Sequence, residues 1–272
     1  MMRALWTGAS GMKSNQTSVD TIANNIANVN TVAYKSQSTQ FKTLLYQTLR
    51  EETTSANGET KPTSAQVGLG TRVASINANY KQGPMTANDS LTALCITGEG
   101  FFAVRGQDNQ TYYTRNGDFM WALDNGGQRV LTTSNGLQVL GQNNQPITLP
   151  ANAGTDGVTF SVDGAVAYKN ENGVTVPTGQ TIALYQFQNP VGLEKMQQSL
   201  LAVTANSGQP RGEWNTQGLT RSTVNQGYLE GSNVNVADEM VNLIIAQRAY
   251  ELNSKSITTS DTMLEQANNL KR

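Results

Sequence analysis

The 272-residue chain contains no histidine. That absence removes Ser-His-Asp and Cys-His nucleophile pairs, HExxH zinc sites and the usual general base near neutral pH. A single cysteine, Cys95, excludes a disulfide within the chain and any Cys-rich zinc or iron–sulfur site. Its setting, Leu94-Cys95-Ile96, reads as a buried structural thiol. Charge is scarce and balanced, 19 basic against 20 acidic side chains and 14% charged overall, so no field is expected that would draw nucleic acid or an anionic membrane. No run of about 18 apolar residues offers a membrane-spanning helix. The start, Met1-Met2-Arg3-Ala4-Leu5-Trp6, gives way to Thr7, Gly8 and Ser10 rather than to the apolar core of a cleaved secretory signal. An enzyme would be left with carboxylate-only chemistry, such as a glycosidase pair, and the 20 acids single out no two. The expectation is therefore no catalytic residue, metal, cofactor or small-molecule substrate.

What the chain has in abundance is uncharged polarity: 28 Asn, 22 Gln, 18 Ser and 32 Thr, 100 residues in all. Such a surface suits polar packing between copies. The breakers are unevenly placed. All seven prolines lie between Pro62 and Pro210, no glycine falls between Gly11 and Gly58, and none follows Gly231. The two ends are thus permitted to be helical and the middle is not.

Apolar periodicity agrees. Leu5, Met12, Val19 and Ile26 recur every seven residues near the N-terminus, with Ile22 and Val29 on the alternate turn. Val236, Leu243, Tyr250, Ile257 and Leu264 do the same near the C-terminus, with Met240 beside them and polar Gln247, Ser254 and Asp261 at the alternate seam positions. A strict seven-residue period holds its stripe against a partner only by supercoiling. Both ends read as coiled-coil strands, the alternative being ordinary amphipathic helices packed on their own domain. Asn235 is placed to cap the second helix, with Asp238 in the capping-box position, Glu239 in the first turn, and Lys271 and Arg272 at the end. Asn24, Asn25 and Asn28 form a polar stripe on the first helix. Their amides either knit adjacent helices or line a channel, or form a solvated face.

The middle alternates with period two at Ala74, Ile76, Ala78 and Tyr80, at Val158, Phe160 and Val162, and at Ala183, Tyr185 and Phe187. Turn dipeptides punctuate it: Asn116-Gly117, Asn125-Gly126, Asn135-Gly136, Asp156-Gly157, Asp163-Gly164 and Asn172-Gly173. Short strands at this spacing imply an antiparallel sandwich or barrel-like module. Gly68 and Gly70, and Gly98 and Gly100, lack the third glycine and helix of a dinucleotide loop and read as strand ends. Glu51 to Ala65, polar with Gly58 and Pro62, reads as an extended or conditionally ordered insert. The fold class is α+β: N- and C-terminal helices pairing as a coiled-coil stalk, with a central antiparallel all-β module. The expected division is 1–45 pairing with 230–272, an insert over 46–69, and a β domain over 70–229. Trp6, Trp121 and Trp214 with the polar surface leave a glycan-binding, adhesive β module as a rival reading.

Three motif clusters carry a resemblance. The first is Ser10-Gly11-Met12, Gln16, the run from Ile22 to Thr31 (Ile-Ala-Asn-Asn-Ile-Ala-Asn-Val-Asn-Thr), Tyr34-Lys35 and Phe41. The second is Gly98-Glu99-Gly100-Phe101-Phe102-Ala103-Val104, Tyr113-Thr114-Arg115, Gly117, Phe119 and Val139-Leu140-Gly141. The third is Gly227-Tyr228-Leu229-Glu230, Ser232 to Val236, Glu239-Met240-Val241, and Gln247 to Glu251 with Asn253-Ser254-Lys255. In this order they resemble the axial proteins of the bacterial flagellum, a family of rod, hook and related subunits. The length and the segment between Tyr46 and Leu69 are most similar to the distal-rod type, with a hook or proximal rod subunit as the alternative. Two departures stand out. Ala33 occupies a position where the family's pattern has glycine, which bears on the backbone angle there, and the stretch from Phe119 to Gly126 is longer than the pattern. The resemblance implies a subunit exported unfolded by the flagellar type III apparatus without a cleaved signal, which polymerises helically into a hollow rod in the cell envelope. It implies neighbouring rod and hook proteins as partners, a bushing ring where an outer membrane is present, and stiffness supplied by a rod-specific insert.

Overall fold

The computed structural model describes residues 2–50, 65–124, 126–150, 153–154, 157–170, 173–216 and 218–270. The insert expected over Glu51–Ala65 lies, except for Ala65, outside them, as do Lys271, Arg272, Asn125, Asp156 and Asn172. The chain divides into two compact units, one of residues 1–27, 37–78 and 235–272, the other of 28–36 and 79–234.

The first unit holds two helices and two strand pairs. Helix α1 spans Met2–Ala27. Strands β1 (Gln37–Thr43), β2 (Tyr46–Arg50), β3 (Ala65–Gly68) and β4 (Thr71–Ala78) follow, and α2 spans Val236–Asn269. Strand β1 pairs antiparallel with β4, from Gln37 opposite Ala78 to Thr43 opposite Thr71, with a bulge between Gln40 and Phe41. Strand β2 pairs antiparallel with β3. The helices run antiparallel to each other: a Cβ on Gly8 would lie 2.9 Å from Ile257 Cγ1, one on Gly11 2.8 Å from Asn253 Nδ2, and Asn25 reaches Glu239, so numbers rise along one helix as they fall along the other.

Two expectations shift here. The N-terminal segment is helical only to Ala27, so Val29 lies in the turn beyond α1. The alternation through Ala74, Ile76 and Ala78 does make a strand, β4, but in the helical unit, and Tyr80 lies beyond its end. Periodicity detects a strand without naming its partner. Here the partner is β1, and Ser10 and Ser14 of α1 meet the Thr71 backbone at 3.4 and 3.5 Å.

The second unit is β throughout, with β5 (Met85–Ala87), β6 (Leu94–Thr97), β7 (Phe101–Arg105), β8 (Thr111–Thr114), β9 (Phe119–Leu123), β10 (Arg129–Thr133), β11 (Gln138–Val139), β12 (Thr148–Leu149), β13 (Val158–Phe160), β14 (Ala165–Lys169), β15 (Thr175–Thr181), β16 (Leu184–Gln186), β17 (Glu194–Lys195), β18 (Leu201–Ala202), β19 (Arg211–Gly212), β20 (Thr223–Gln226) and β21 (Tyr228–Glu230). A ten-stranded sheet runs β12-β10-β11-β7-β8-β18-β17, with β9 on β10, β16 on β7 and β19 on β16; β13-β14-β15 form a second sheet, and β20 pairs with β6 and β21 with β5. Every pairing between described strands is antiparallel. Despite the long stretch after Phe119, the β9–β10 register is regular, from Phe119 opposite Thr133 to Leu123 opposite Arg129. Asn116-Gly117 makes no hairpin. A Cβ on Gly117 would fall 1.7 Å from the Leu94 carbonyl oxygen, so glycine is required there for two backbones to touch.

Strand β7 explains why the unit is well cored, because both its faces are covered. Phe102 and Val104 join Leu94, Ile96, Phe119 and Leu131 in one cluster. Phe101 and Ala103 join an aromatic cluster in which Phe187 meets Phe101 and Tyr113 edge to face, at 5.6 and 4.9 Å. Cys95 is fully buried, as its neighbours predict.

Candidate functional site: the terminal helices and the base of the β unit

The helical stripe divides into residues that face the partner helix and residues that do not. On α1, Leu5, Met12, Val19 and Ile26 are half-buried and Ile22 is buried. On α2, Leu243, Ile257 and Leu264 are half-buried, while Val236, Met240 and Tyr250 are exposed. On the alternate turn of the α2 seam Ala246 and Ser260 are buried while Gln247 and Asp261 are exposed, and Asn253 and Ser254 are both half-buried. Asn253 lies against Gly11, where the two helices come close. An apolar-stripe search passes over such residues. Met240, Val241, Ile244 and Ile245 are left 55–61% exposed on α2, a contiguous apolar face that the described residues leave uncovered.

Helix α2 begins as the sequence suggests. Asn235 has extended backbone angles and its side chain accepts from the Ala237 N–H at 3.2 Å. Asp238 does not reach back to the backbone; it accepts from the Asn235 side-chain amide at 2.7 Å.

Of the asparagine stripe, Asn25 is fully buried. Its Oδ1 accepts from the Gln37 N–H at 2.9 Å, and its Nδ2 donates to the Gln37 carbonyl at 2.8 Å and to Glu239 Oε1 at 3.1 Å. One amide thereby pairs with β1 as a neighbouring strand would and also ties α1 to α2. Asn24 is exposed, and Asn28 accepts from the Thr31 hydroxyl at 3.0 Å in the turn after the helix.

The sequence motifs converge a second time, within the β unit. Glu230 is 1% exposed and is held by Lys35 Nζ at 2.7 Å, Arg115 Nε at 3.0 Å and the Gly83 N–H at 3.0 Å. Lys35 also donates to the Lys81 carbonyl at 2.9 Å and Arg115 to the Gly98 carbonyl at 2.8 Å, with the guanidinium over the Phe101 ring. Burial lowers the Lys35 pKa against the opposing attraction of Glu230. One residue from each of three motif clusters therefore meets in one buried ion triad, a role that the motif string alone does not reveal. Ala33 is buried beside it with φ +57°, its N–H donating to the Glu230 carbonyl at 2.8 Å. The non-glycine residue thus keeps the left-handed angle that glycine would take without strain.

Among the described residues, no three His, Cys, Asp or Glu side chains gather as metal ligands, and no described helix is long and apolar enough to cross a membrane. The tryptophans behind the glycan reading have separate roles: Trp6 is exposed on α1, Trp121 packs on the core and Trp214 meets Tyr185 edge to face at 5.1 Å.

Comparison with known proteins agrees with this arrangement. Residues 5–35 match the family described as flagella basal body rod protein, residues 95–168 the flagellar hook protein FlgE/F/G D1 domain, and residues 225–270 the flagellar basal body rod FlgEFG protein C-terminal. Over the full length of both chains the sequence is 43% identical to the flagellar basal-body rod protein FlgG of Borreliella burgdorferi and 37% identical to that of Bacillus subtilis. It is 26% identical, again over both full lengths, to the flagellar hook-basal body complex protein FlhP of Bacillus subtilis. The chain belongs to the flagellar basal-body rod protein family.

Proposed function

We propose that this chain is a structural subunit that polymerises helically into the distal rod, a hollow shaft that carries motor torque to the hook and conducts exported subunits. The observation that carries this reading is the exposed face of α2, where Met240, Val241, Ile244 and Ile245 lie together. An apolar face of this kind on a helix that already has one partner is the mark of a further protein contact. The assembly interface is then this exposed face together with the seam residues Leu5, Met12, Val19, Ile22, Ile26, Leu243, Ile257 and Leu264, with Val29, Val236, Met240 and Tyr250 at its margins. Higher identity to the two rod proteins than to FlhP supports the distal-rod assignment within the family. The partners are further copies of this chain, adjoining rod and hook proteins, the type III export apparatus and, where an outer membrane is present, the bushing ring. The location is the basal body in the cell envelope. The chemistry is binding alone.

The double substitution Ile244→Asp with Ile245→Asp tests the face. The monomer should keep its circular dichroism and thermal unfolding, because both side chains are exposed, while rods and motility are lost. Retained motility would refute the interface. Immunogold microscopy of purified hook-basal bodies tests the position: label below the hook is expected, and label along the hook would make the chain a hook subunit.

A further inference from the structure

We propose that Glu230 makes folding of the β unit conditional on the arrival of its last segment, residues 223–233. Its two cations come from residues 35 and 115, so they are synthesised well before it. Until Glu230 arrives, closing the base of the unit would bury Lys35 and Arg115 together without a counter-charge, which is strongly unfavourable. The segment that brings Glu230 is also structural. Strand β20 pairs with β6 and β21 with β5. The Glu230 carbonyl accepts from Ala33, the Gly231 N–H donates to Pro84, and the Asn233 N–H donates to the Tyr34 carbonyl. The Asn233 side chain accepts from the Ser36 N–H and donates to the Asn79 and Lys81 carbonyls. Residues 223–233 thus fasten 28–36 to the rest of the unit, and the carboxylate at their centre supplies the only negative charge in the triad. A chain that stops short of Glu230 keeps Lys35 and Arg115 apart; one that extends through residue 233 closes the triad in a single step.

The contrast with Glu213 isolates the mechanism. Glu213 is also a buried carboxylate, but it accepts from Gln186 and from the Ser222 N–H and hydroxyl, at 2.7–2.8 Å. Among the described residues it has no cation to neutralise, and its partners lie close in sequence.

Stopped-flow folding of the full-length chain tests the idea. If closing the triad limits folding, Glu230→Gln slows refolding about a hundredfold or more and leaves the unfolding rate nearly unchanged. Lys35→Met combined with Glu230→Gln, which removes one orphaned cation, recovers at least about tenfold of that rate, and Glu213→Gln stays within about threefold of the parent. Parent-like refolding of Glu230→Gln, with the whole loss in faster unfolding, would overturn the proposal. Should Glu230→Gln fail to fold, pulsed hydrogen exchange on the unsubstituted chain decides. The Ala33 and Gly83 amides should gain protection in the same phase as those of Phe101–Val104, and earlier protection of Phe101–Val104 would overturn the proposal.

Discussion

The two units are made from the same polar-rich sequence and are held together differently. In the β unit Leu94, Phe102, Phe119, Leu131, Val139 and Leu140 are all completely buried. Among the described residues of the helical unit, the only buried apolar side chains are Ile22, Ala78 and Ala246, each 7–9% exposed, beside buried Ser14, Thr21, Asn25 and Ser260. The β unit is therefore stabilised mainly by a dry core of its own. The helical unit depends on close backbone approach and on hydrogen bonds, and keeps much of its apolar surface outward. A unit built this way is marginal alone and gains its missing burial when another copy covers it.

Substitutions should separate the two designs. The largest loss is expected for Phe119→Ala, about 3–5 kcal/mol from the β unit, because the ring is enclosed on all sides; local hydrogen exchange should show the loss there and not in α1. In the helical unit the order of polar and apolar deletions should invert. Asn25→Ala leaves the Gln37 N–H and carbonyl without their partner and should cost about 2–4 kcal/mol, more than the roughly 2 kcal/mol for Ile22→Ala at a site that is incompletely enclosed. Equal exchange rates for α1 in the two variants would break the comparison.

Smaller effects test the β unit further. Burial pushes the Cys95 thiol up to about 11 and the Tyr80 hydroxyl up to about 12, from their ordinary values of 9.0 and 10.0. Both groups hold their protons more tightly when folded, so their contribution is full below pH 9 and is lost as pH rises through the folded values. Lys35, whose folded pKa is lowered, works in the opposite sense. Thermal unfolding of the β unit should therefore fall from pH 9 upward, and in Cys95→Ala the decline should begin nearer pH 10; an unchanged onset would assign the loss elsewhere. Ala33→Gly should stabilise the β unit by about 1 kcal/mol, since it relieves a left-handed backbone angle. Destabilisation on that change would show that the alanine methyl contributes packing worth more than the strain.

The readable parts of this architecture were those with a local cause. Breaker distribution located both helices, the asparagine at 235 located the start of α2, and alternation located β4, β13 and β16. The partners of those elements were harder, because pairing is not local. Strand β4 alternates like any strand of the middle segment, and only its β1 partner puts it with the helices. On the alternate turn of the α2 seam Ala246, Asn253 and Ser260 carry no apolar signal, so periodicity passes over them, although Asn253 meets Gly11 where the helices come close. The triad was invisible for the same reason. Lys35, Arg115 and Glu230 stand in three separate motifs, and nothing in any one of them indicates the other two.

Hydrogen exchange of the soluble monomer compared with assembled rods measures the central contrast directly. The amides of Phe101–Arg105 and Arg129–Thr133 should be protected in both states, while those of Met2–Ala27 and Val236–Asn269 should exchange readily in the monomer and become protected only in the rod. Helices as strongly protected in the monomer as the β strands would contradict the account.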